Sequence, residues 1–186
     1  MTDRIEYDLA AAIAKWPNVP ACYGWLSLDR RGNWRLQGEP VAHPGLRKLL
    51  DANYVRGDDG TWFVQNGPQK VFVTLDYMPL VLHFDAAGDL YAHTGRQAGD
   101  PVSGWMDDEG SVLLGTSAGP GLLDGRDLAS FIEACSDEDG QSVDEPALLA
   151  ALDGRARLRW RGLELGRIAR ADAPARFGFI QDPKPR

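Results

Sequence analysis

The chain has 186 residues, a formal net charge of −7, 44% hydrophobic and 25% charged residues. That balance excludes wholesale disorder and suits one domain, or two small ones, with a sizeable core. Nothing approaches the run of about 18 apolar residues that a membrane-spanning helix needs, and the opening Met-Thr-Asp-Arg-Ile-Glu-Tyr-Asp carries acids where a secretory signal needs basic and then apolar residues. A cytoplasmic protein without a membrane partner is the expectation.

The charge is unevenly spread. Residues 154–186 carry a net +6 and residues 1–153 a net −13. A basic tail can meet an anionic partner, but the chain offers its own acids at Asp107, Asp108, Glu109 and at Asp137, Glu138, Asp139, so docking within the chain is the favoured reading. The acidic total opposes long-range attraction to nucleic acid, which is not an expected partner. Cys22 and Cys135 are the only cysteines and no Cys-x-x-Cys occurs, which excludes a disulfide framework or a four-ligand zinc site and leaves two buried thiols as the expectation.

In chain order, residues 3–16 read as an amphipathic helix. Ile5, Leu9, Ile13 and Trp16 recur at helical spacing and share one face. Asp3 can cap the first turn with Glu6 reaching back, and Pro17 stops it. From Tyr23 the period becomes two: Trp25 and Ser27 alternate with Leu26 and Leu28, and Asp29-Arg30-Arg31-Gly32 turns the chain into Asn33-Trp34-Arg35-Leu36. The same Asp-x-x-Gly punctuation recurs at 85–88 and 107–110, with a shorter Asp59-Gly60, each time before an alternating or apolar run. Strands joined by tight turns, and so mostly antiparallel, are expected over residues 23–115.

Three shorter helices interrupt them. Pro44 suits a first helical position before Leu46, Leu49 and Leu50, with His43 as the entry residue. Asp124 can cap a segment carrying Leu128, Phe131 and Ile132, and Pro146 opens a third over Ala147–Leu152. Residues 136–144 read as an exposed acidic loop. Gly24-Trp25, Gly32 and Gly45-Leu46 are echoed by Gly104-Trp105, Gly110 and Gly121-Leu122. A duplication dividing near Gly99 to Ser103 would explain the echo, and so would chance glycine punctuation. The expected organisation is an N-terminal α+β half over 1–100 and a C-terminal α+β half over 101–186, or one continuous domain.

The chemical motifs are few. Gly115-Thr116-Ser117-Ala118-Gly119 has the form of a hydrolase nucleophile elbow, but no histidine follows Ser117, and Pro120 and Gly121 block an immediate helix. Of the three histidines, His83 shares a strand face with Asp85, and His93 lies across the turn at Gly88. A structural role is preferred to metal ligation. Asp137-Glu138-Asp139-Gly140 fails as a calcium loop, because Cys135 and Pro146 fall where ligands are required. Gln65-Asn66-Gly67-Pro68-Gln69 marks a hairpin, and Pro68 suggests a loop of about four residues. Its amides could also hold a polar ligand or a partner's backbone. Arg155, Arg157, Arg159 and Arg161 alternate with Ala156, Leu158, Trp160 and Gly162, a strand with an arginine stripe opposite an apolar face. The six tryptophans are read first as core.

The run Gly60-Thr61-Trp62-Phe63-Val64-Gln65-Asn66-Gly67-Pro68-Gln69-Lys70-Val71-Phe72-Val73, with Gly121-Leu122-Leu123-Asp124-Gly125-Arg126-Asp127-Leu128 downstream, resembles an uncharacterised proteobacterial family of unknown function. The resemblance extends over most of the chain. It implies a bacterial cytoplasmic protein and carries no catalytic or binding residues to transfer.

The fold expected is α+β, with mostly antiparallel sheets, an N-terminal amphipathic helix and three short helices. The preferred function is a non-catalytic interaction or accessory module with a protein partner, no catalytic residues, no metal and no cofactor. The runner-up is a small-molecule binder or enzyme for a polar or anionic ligand held by Gln65, Asn66, Gln69, His93 and Arg96, polar groups in or beside the expected turns.

Overall fold

The computed structural model describes residues 19–185, so the helix expected over 3–16 lies outside the described residues. Met78–Phe177 make one compact unit and the chain on either side of them makes the other.

The first unit carries one six-stranded sheet. Its strands are β1 (Ala21–Leu28), β2 (Trp34–Leu36), β3 (Glu39–Pro40), β4 (Tyr54–Arg56), β5 (Trp62–Asn66) and β6 (Gln69–Leu75), in the order β3-β2-β1-β6-β5-β4. Helix α1 (Pro44–Asn53) intervenes before β4. His43 is its entry residue as expected: the ring Nδ1 accepts from the Leu46 N–H at 3.1 Å, satisfying one of the donors that every helix start leaves open. Alternation holds along β1, where Leu26 and Leu28 are buried and Trp25 and Ser27 half-buried. On the core side Leu46 and Leu50 of α1 are buried. Trp34 meets Tyr54 edge-on at 5.0 Å, and Tyr54 meets Trp62 at 5.0 Å. Trp34 Nε1 donates to Asp51 at 2.7 Å, the polar partner that a buried indole needs.

The second unit carries an eight-stranded sheet built from β7 (Leu80–Phe84), β8 (Leu90–Ala92), β9 (Pro101–Asp107), β10 (Val112–Thr116), β11 (Gly119–Leu123), β12 (Cys135–Ser136), β13 (Arg159–Trp160) and β14 (Leu163–Ile168). The order is β12-β13-β14-β9-β10-β11-β7-β8. Helices α2 (Leu128–Glu133), α3 (Glu145–Leu152) and α4 (Ala173–Phe177) complete it. The three helices expected after residue 40 are present, and α4 is a fourth that its five residues were too few to signal. Phe131 packs on Trp160 at 4.8 Å, and the expected burial of Trp160 holds at 1% exposure. Cys22 and Cys135 are both buried and free, and burial pushes the Cys135 thiol up to about 12.

Most strand pairs are antiparallel, as expected, but three are parallel: β1 with β6, β11 with β7 and β14 with β9. Both units repeat one arrangement. The order β2-β1-β6-β5-β4 in the first matches β8-β7-β11-β10-β9 in the second, with the same direction at every pairing. The match reaches single bonds: the Gln37 N–H donates to Trp25 O and the His93 N–H to Val81 O, each at 2.7 Å. In this register β1 corresponds to β7. The Gly-Trp echo instead joins β1 to β9, because similar glycine turns close most hairpins in the chain and only pairing direction tells them apart.

The Asp-x-x-Gly turns share one mechanism. In those starting at Asp29, Asp85, Asp107 and Asp137, one carboxylate oxygen accepts the N–H groups two and four residues on. The glycine N–H then donates to the aspartate carbonyl, and each glycine has positive φ. The turn at 137–140 lies in the acidic loop, where its ends are bridged between Ser136 and Ser142. At Asp29 burial acts to raise the carboxyl pKa, but bonds from Asn33, Arg31 and Arg35 outweigh it and hold it below its ordinary value.

Two expectations need correction. The hairpin between β5 and β6 has two loop residues, Gly67 and Pro68, rather than about four. Gly67 takes φ of 56°, and the fixed φ of Pro68 suits the second position of a type II′ turn. The arginine stripe is a strand only over Arg159–Trp160: the Arg155 and Ala156 N–H groups bond back to Ala150 O, and Arg161 and Gly162 both take positive φ and turn the chain into β14. The alternation itself survives: Leu158 and Trp160 are buried and Arg155, Arg157, Arg159 and Arg161 exposed.

Asp107 is the most buried of the turn aspartates, at 2% exposure. Asp107→Ala should cost about 1–3 kcal/mol in urea unfolding, since it removes the buried acceptor that holds the Glu109 and Ser111 N–H groups. Asp85→Ala, at an exposed turn, should cost clearly less.

Candidate functional site

The five residues singled out in the sequence fall on different units. Gln65, Asn66 and Gln69 stand together on the β5–β6 hairpin. Gln65 Nε2 donates to Gly67 O at 2.6 Å and Gln69 O at 3.2 Å, and Asn66 Nδ2 reaches Gln69 Oε1 at 3.4 Å. Gln69 Nε2 donates to Val19 O at 2.6 Å. These amides therefore close the hairpin and fix the chain entering β1. His93 and Arg96 share the turn after β8 in the second unit. His93 Nδ1 accepts from the Val81 N–H at 3.3 Å, which assigns the ring proton to Nε2. The Arg96 carbonyl accepts from Ala92 at 2.9 Å while its side chain is exposed.

A second polar group gathers where β7 and β11 end. His83 stands opposite Tyr91, with ring centroids 6.3 Å apart. Arg126 grips Asp124 with Nε at 3.0 Å and a terminal nitrogen at 2.7 Å, and adds its backbone N–H at 2.9 Å. That grip holds the Asp124 carboxyl below its ordinary value, burial opposing and His83 assisting. Asp127 accepts the Phe84 N–H at 3.2 Å. The guanidinium fork is committed to its neighbour, so this cluster pins the turn Gly125–Asp127 to β7. Among the described residues, no group of three or more His, Cys, Asp and Glu side chains converges as metal ligands would.

The surface with most to offer a partner is α3 and the groove at its C-terminal end. Asp144 caps α3 by accepting the Ala147 N–H at 2.9 Å, and Pro146 sits in the first turn. The helix reads Glu-Pro-Ala-Leu-Leu-Ala-Ala-Leu. Only Ala151 is buried, while Leu148 and Leu152 are half-buried and Leu149 is 53% exposed. The Arg155 and Ala156 N–H groups both donate to Ala150 O, at 2.7 and 3.2 Å, folding the following segment back against the helix. Residues Gly154–Arg157 then form one wall of an open groove of about 310 Å³ whose other wall is Asp137, Glu138 and Asp139. Arg157 spans it, 2.8 Å from Glu164 and 3.8 Å from Glu138. Elsewhere the Arg170 N–H donates to Asp108 at 2.8 Å and its side chain pairs with Glu109. The basic segment thus docks on the acids that the sequence offered.

Sequence reasoning placed a helix over Ala147–Leu152, where α3 is found, but did not foresee the exposure of Leu149.

Comparison with known proteins bears on the fold. Residues 5–184 match the sequence model of a family described as "Protein of unknown function (DUF2946)". No curated protein matches. A solved DUF1285 family protein from Silicibacter pomeroyi DSS-3 is similar over 85% of this chain and 92% of its own, with 17% identity and a TM-score of 0.55. A DUF1285 family protein from Shewanella baltica OS155 is similar over 58% of this chain and 90% of its own, with 20% identity and a TM-score of 0.47. No helix among the described residues is long and apolar enough to cross a membrane.

The Asp124–Arg126 pair gives a signed pH dependence. A carboxyl held lower in the folded state stabilises it above the unfolded value, near 3.8, and the contribution is lost as pH falls through the lowered folded value. Arg126→Ala should therefore unfold more readily than wild type at neutral pH, with the gap closing as the pH is taken below the carboxylate range. A gap independent of pH in denaturant titrations would show that the pair acts by packing alone.

Proposed function

The chain belongs to the DUF2946 family, whose function is unknown, and from that premise we propose that it is a non-catalytic interaction module of the bacterial cytoplasm that holds a protein partner through α3. The observation that carries this reading is the exposure of Leu149, at 53%, on a helix whose other apolar residues are mostly half-buried. Apolar area of this kind, rimmed by charge, is what partner surfaces use. Asp144 and Glu145 begin the helix, and Arg155 and Arg157 follow its end, facing the Asp137–Asp139 loop across the groove. A complementary partner offers an apolar cleft with basic groups toward Glu145 and a carboxylate toward Arg155. The matched strand orders of the two units also support descent from one duplicated half.

A second reading, a small polar or anionic ligand, is favoured by the placement of Arg155 and Arg157 in a groove of about 310 Å³. Native mass spectrometry of protein from its own host separates the versions of it. Excess mass lost in Arg157→Ala places the ligand in the groove. Loss in Gln69→Ala places it at the β5–β6 hairpin with Gln65 and Asn66, and loss in His93→Ala places it at the turn after β8 with Arg96.

A photo-crosslinking amino acid at position 149, expressed in the native host, should give one discrete protein adduct. The adduct should disappear when Leu148→Asp is added, and should not form from the exposed position 39. Leu149→Glu should leave unfolding stability within about 0.5 kcal/mol of wild type while removing the complex. An adduct that forms equally from both positions would overturn the reading.

A further inference from the structure

The second sheet repeats five strands of the first and then goes on. The turns at 57–61 and 107–111 close their hairpins with the same bond, Gly57 N–H to Thr61 O at 2.7 Å and Asp107 N–H to Ser111 O at 2.9 Å. On β4, Tyr54 pairs with Val64, Val55 with Phe63 and Arg56 with Trp62. On β9, Gly104 pairs with Leu114, Trp105 with Leu113 and Met106 with Val112. Tyr54, Val55 and Arg56 therefore stand where Gly104, Trp105 and Met106 stand. Beyond β9 the second sheet continues with β14, β13 and β12. Strand β14 runs parallel to β9, with Leu165 opposite Gly104, Gly166 opposite Trp105 and Arg167 opposite Met106. Beyond β4 the first sheet has no further strand among the described residues. Exposure follows: Met106 is buried and Trp105 half-buried, whereas Val55 is 36% exposed and Arg56 is exposed as well.

We infer that the β4 edge takes an extended segment of another protein as an added strand, running parallel to β4 as β14 runs parallel to β9. Because the Gly57 N–H bonds inward to Thr61, alternation along the ladder turns Val55 toward β5 and the Arg56 N–H and carbonyl away from it. Sheets guard their edges with proline and charge. The opposite edge of this sheet does so, since β3 is Glu39-Pro40. Strand β4 has no proline and leaves a valine exposed. The C-terminal stretch is held at the turn and strand ends instead: Arg56 donates to Gly178 O at 2.9 Å, the Ile180 N–H to Gly60 O and the Leu75 N–H to Gln181 O. Side-chain size sets the chemistry of the incoming strand. In the second unit Leu165 fills the space over Gly104, where a Cβ would come within 2.6 Å of it. Gly166 leaves room for Trp105, whose ring a Cβ would likewise meet at 2.6 Å. In the first unit the sizes are reversed, with Tyr54 for Gly104 and Val55 for Trp105. The added strand therefore carries a small residue opposite Tyr54, a large apolar one opposite Val55 and a carboxylate opposite Arg56. Main-chain bonds supply the affinity of such a strand, and alternate side chains its specificity. This edge belongs to the first unit and α3 to the second, so either surface can fail without the other.

The probe is a synthetic peptide with Ala-Leu-Glu-Val at its centre and a nitroxide at its N-terminal end, added at millimolar concentration to the isotope-labelled full chain. The amides of residues 54–57 should shift saturably, and those of β3 should not. Parallel addition puts the peptide's N-terminal end beside Tyr54, so peak loss should be stronger at Asn53 than at Asp58. Arg56→Pro removes an outward N–H and no bond to β5, so the spectrum should stay dispersed while the shifts vanish. Exchanging Leu and Glu in the peptide sets a carboxylate against Val55 and should weaken binding about tenfold with the protein unaltered. Absence of shifts at β4, shifts that survive Arg56→Pro in a folded chain, equal binding of the exchanged peptide, or stronger peak loss at Asp58 would each overturn the proposal. So would a dimer of the free chain that Arg56→Pro dissolves, which would assign the edge to a second copy.

Discussion

Each unit is held together by a parallel pairing between strands far apart in sequence. Leu26 of β1 lies against Val73 of β6, and Leu82 of β7 against Leu123 of β11. A parallel pair cannot be made by a tight turn, so everything between the partners must first be folded into hairpins that bring the second strand back. The loop-closure cost is met only when the intervening strands are in register. The burial of Val71, Val73, Leu113 and Leu114, all at 1% or less, follows from this closure, since they lie on strands flanked on both sides.

Register in turn rests on the aspartate turns. A carboxylate that accepts two backbone donors at fixed offsets leaves little freedom in loop length, and a one-residue slip would exchange the buried and exposed faces of the strand that follows. The same device explains the acidity of several loops without invoking a ligand: Asp107 and Asp137 are occupied by their own backbones. Charge left over is met within the chain by Arg157 and Arg170.

What remains for function is surface that the fold does not consume. The polar side chains most suggestive in the sequence, Gln65, Asn66 and Gln69, have donors engaged in shaping a hairpin. The apolar α3 has more leucine than the second unit covers. It suits a separate partner, because charged groups of both signs border it.

The sequence by itself determined the local structure: strand alternation, the capped starts of α1 and α3, Asp124 capping the turn Gly125–Asp127 that leads into α2, and the glycine turns. Each depends on contacts within a few residues, which composition and spacing report directly. It also pointed to the basic segment docking on the acids, because opposite charges in one chain need no register to attract. Tertiary structure alone decided the parallel pairings, the matching of β1 to β7 and the exposure of Leu149. A glycine turn looks the same wherever it occurs, and a leucine carries no mark of which neighbour will cover it. Pairing direction and coverage are set by segments tens of residues apart, and only the folded chain brings those together.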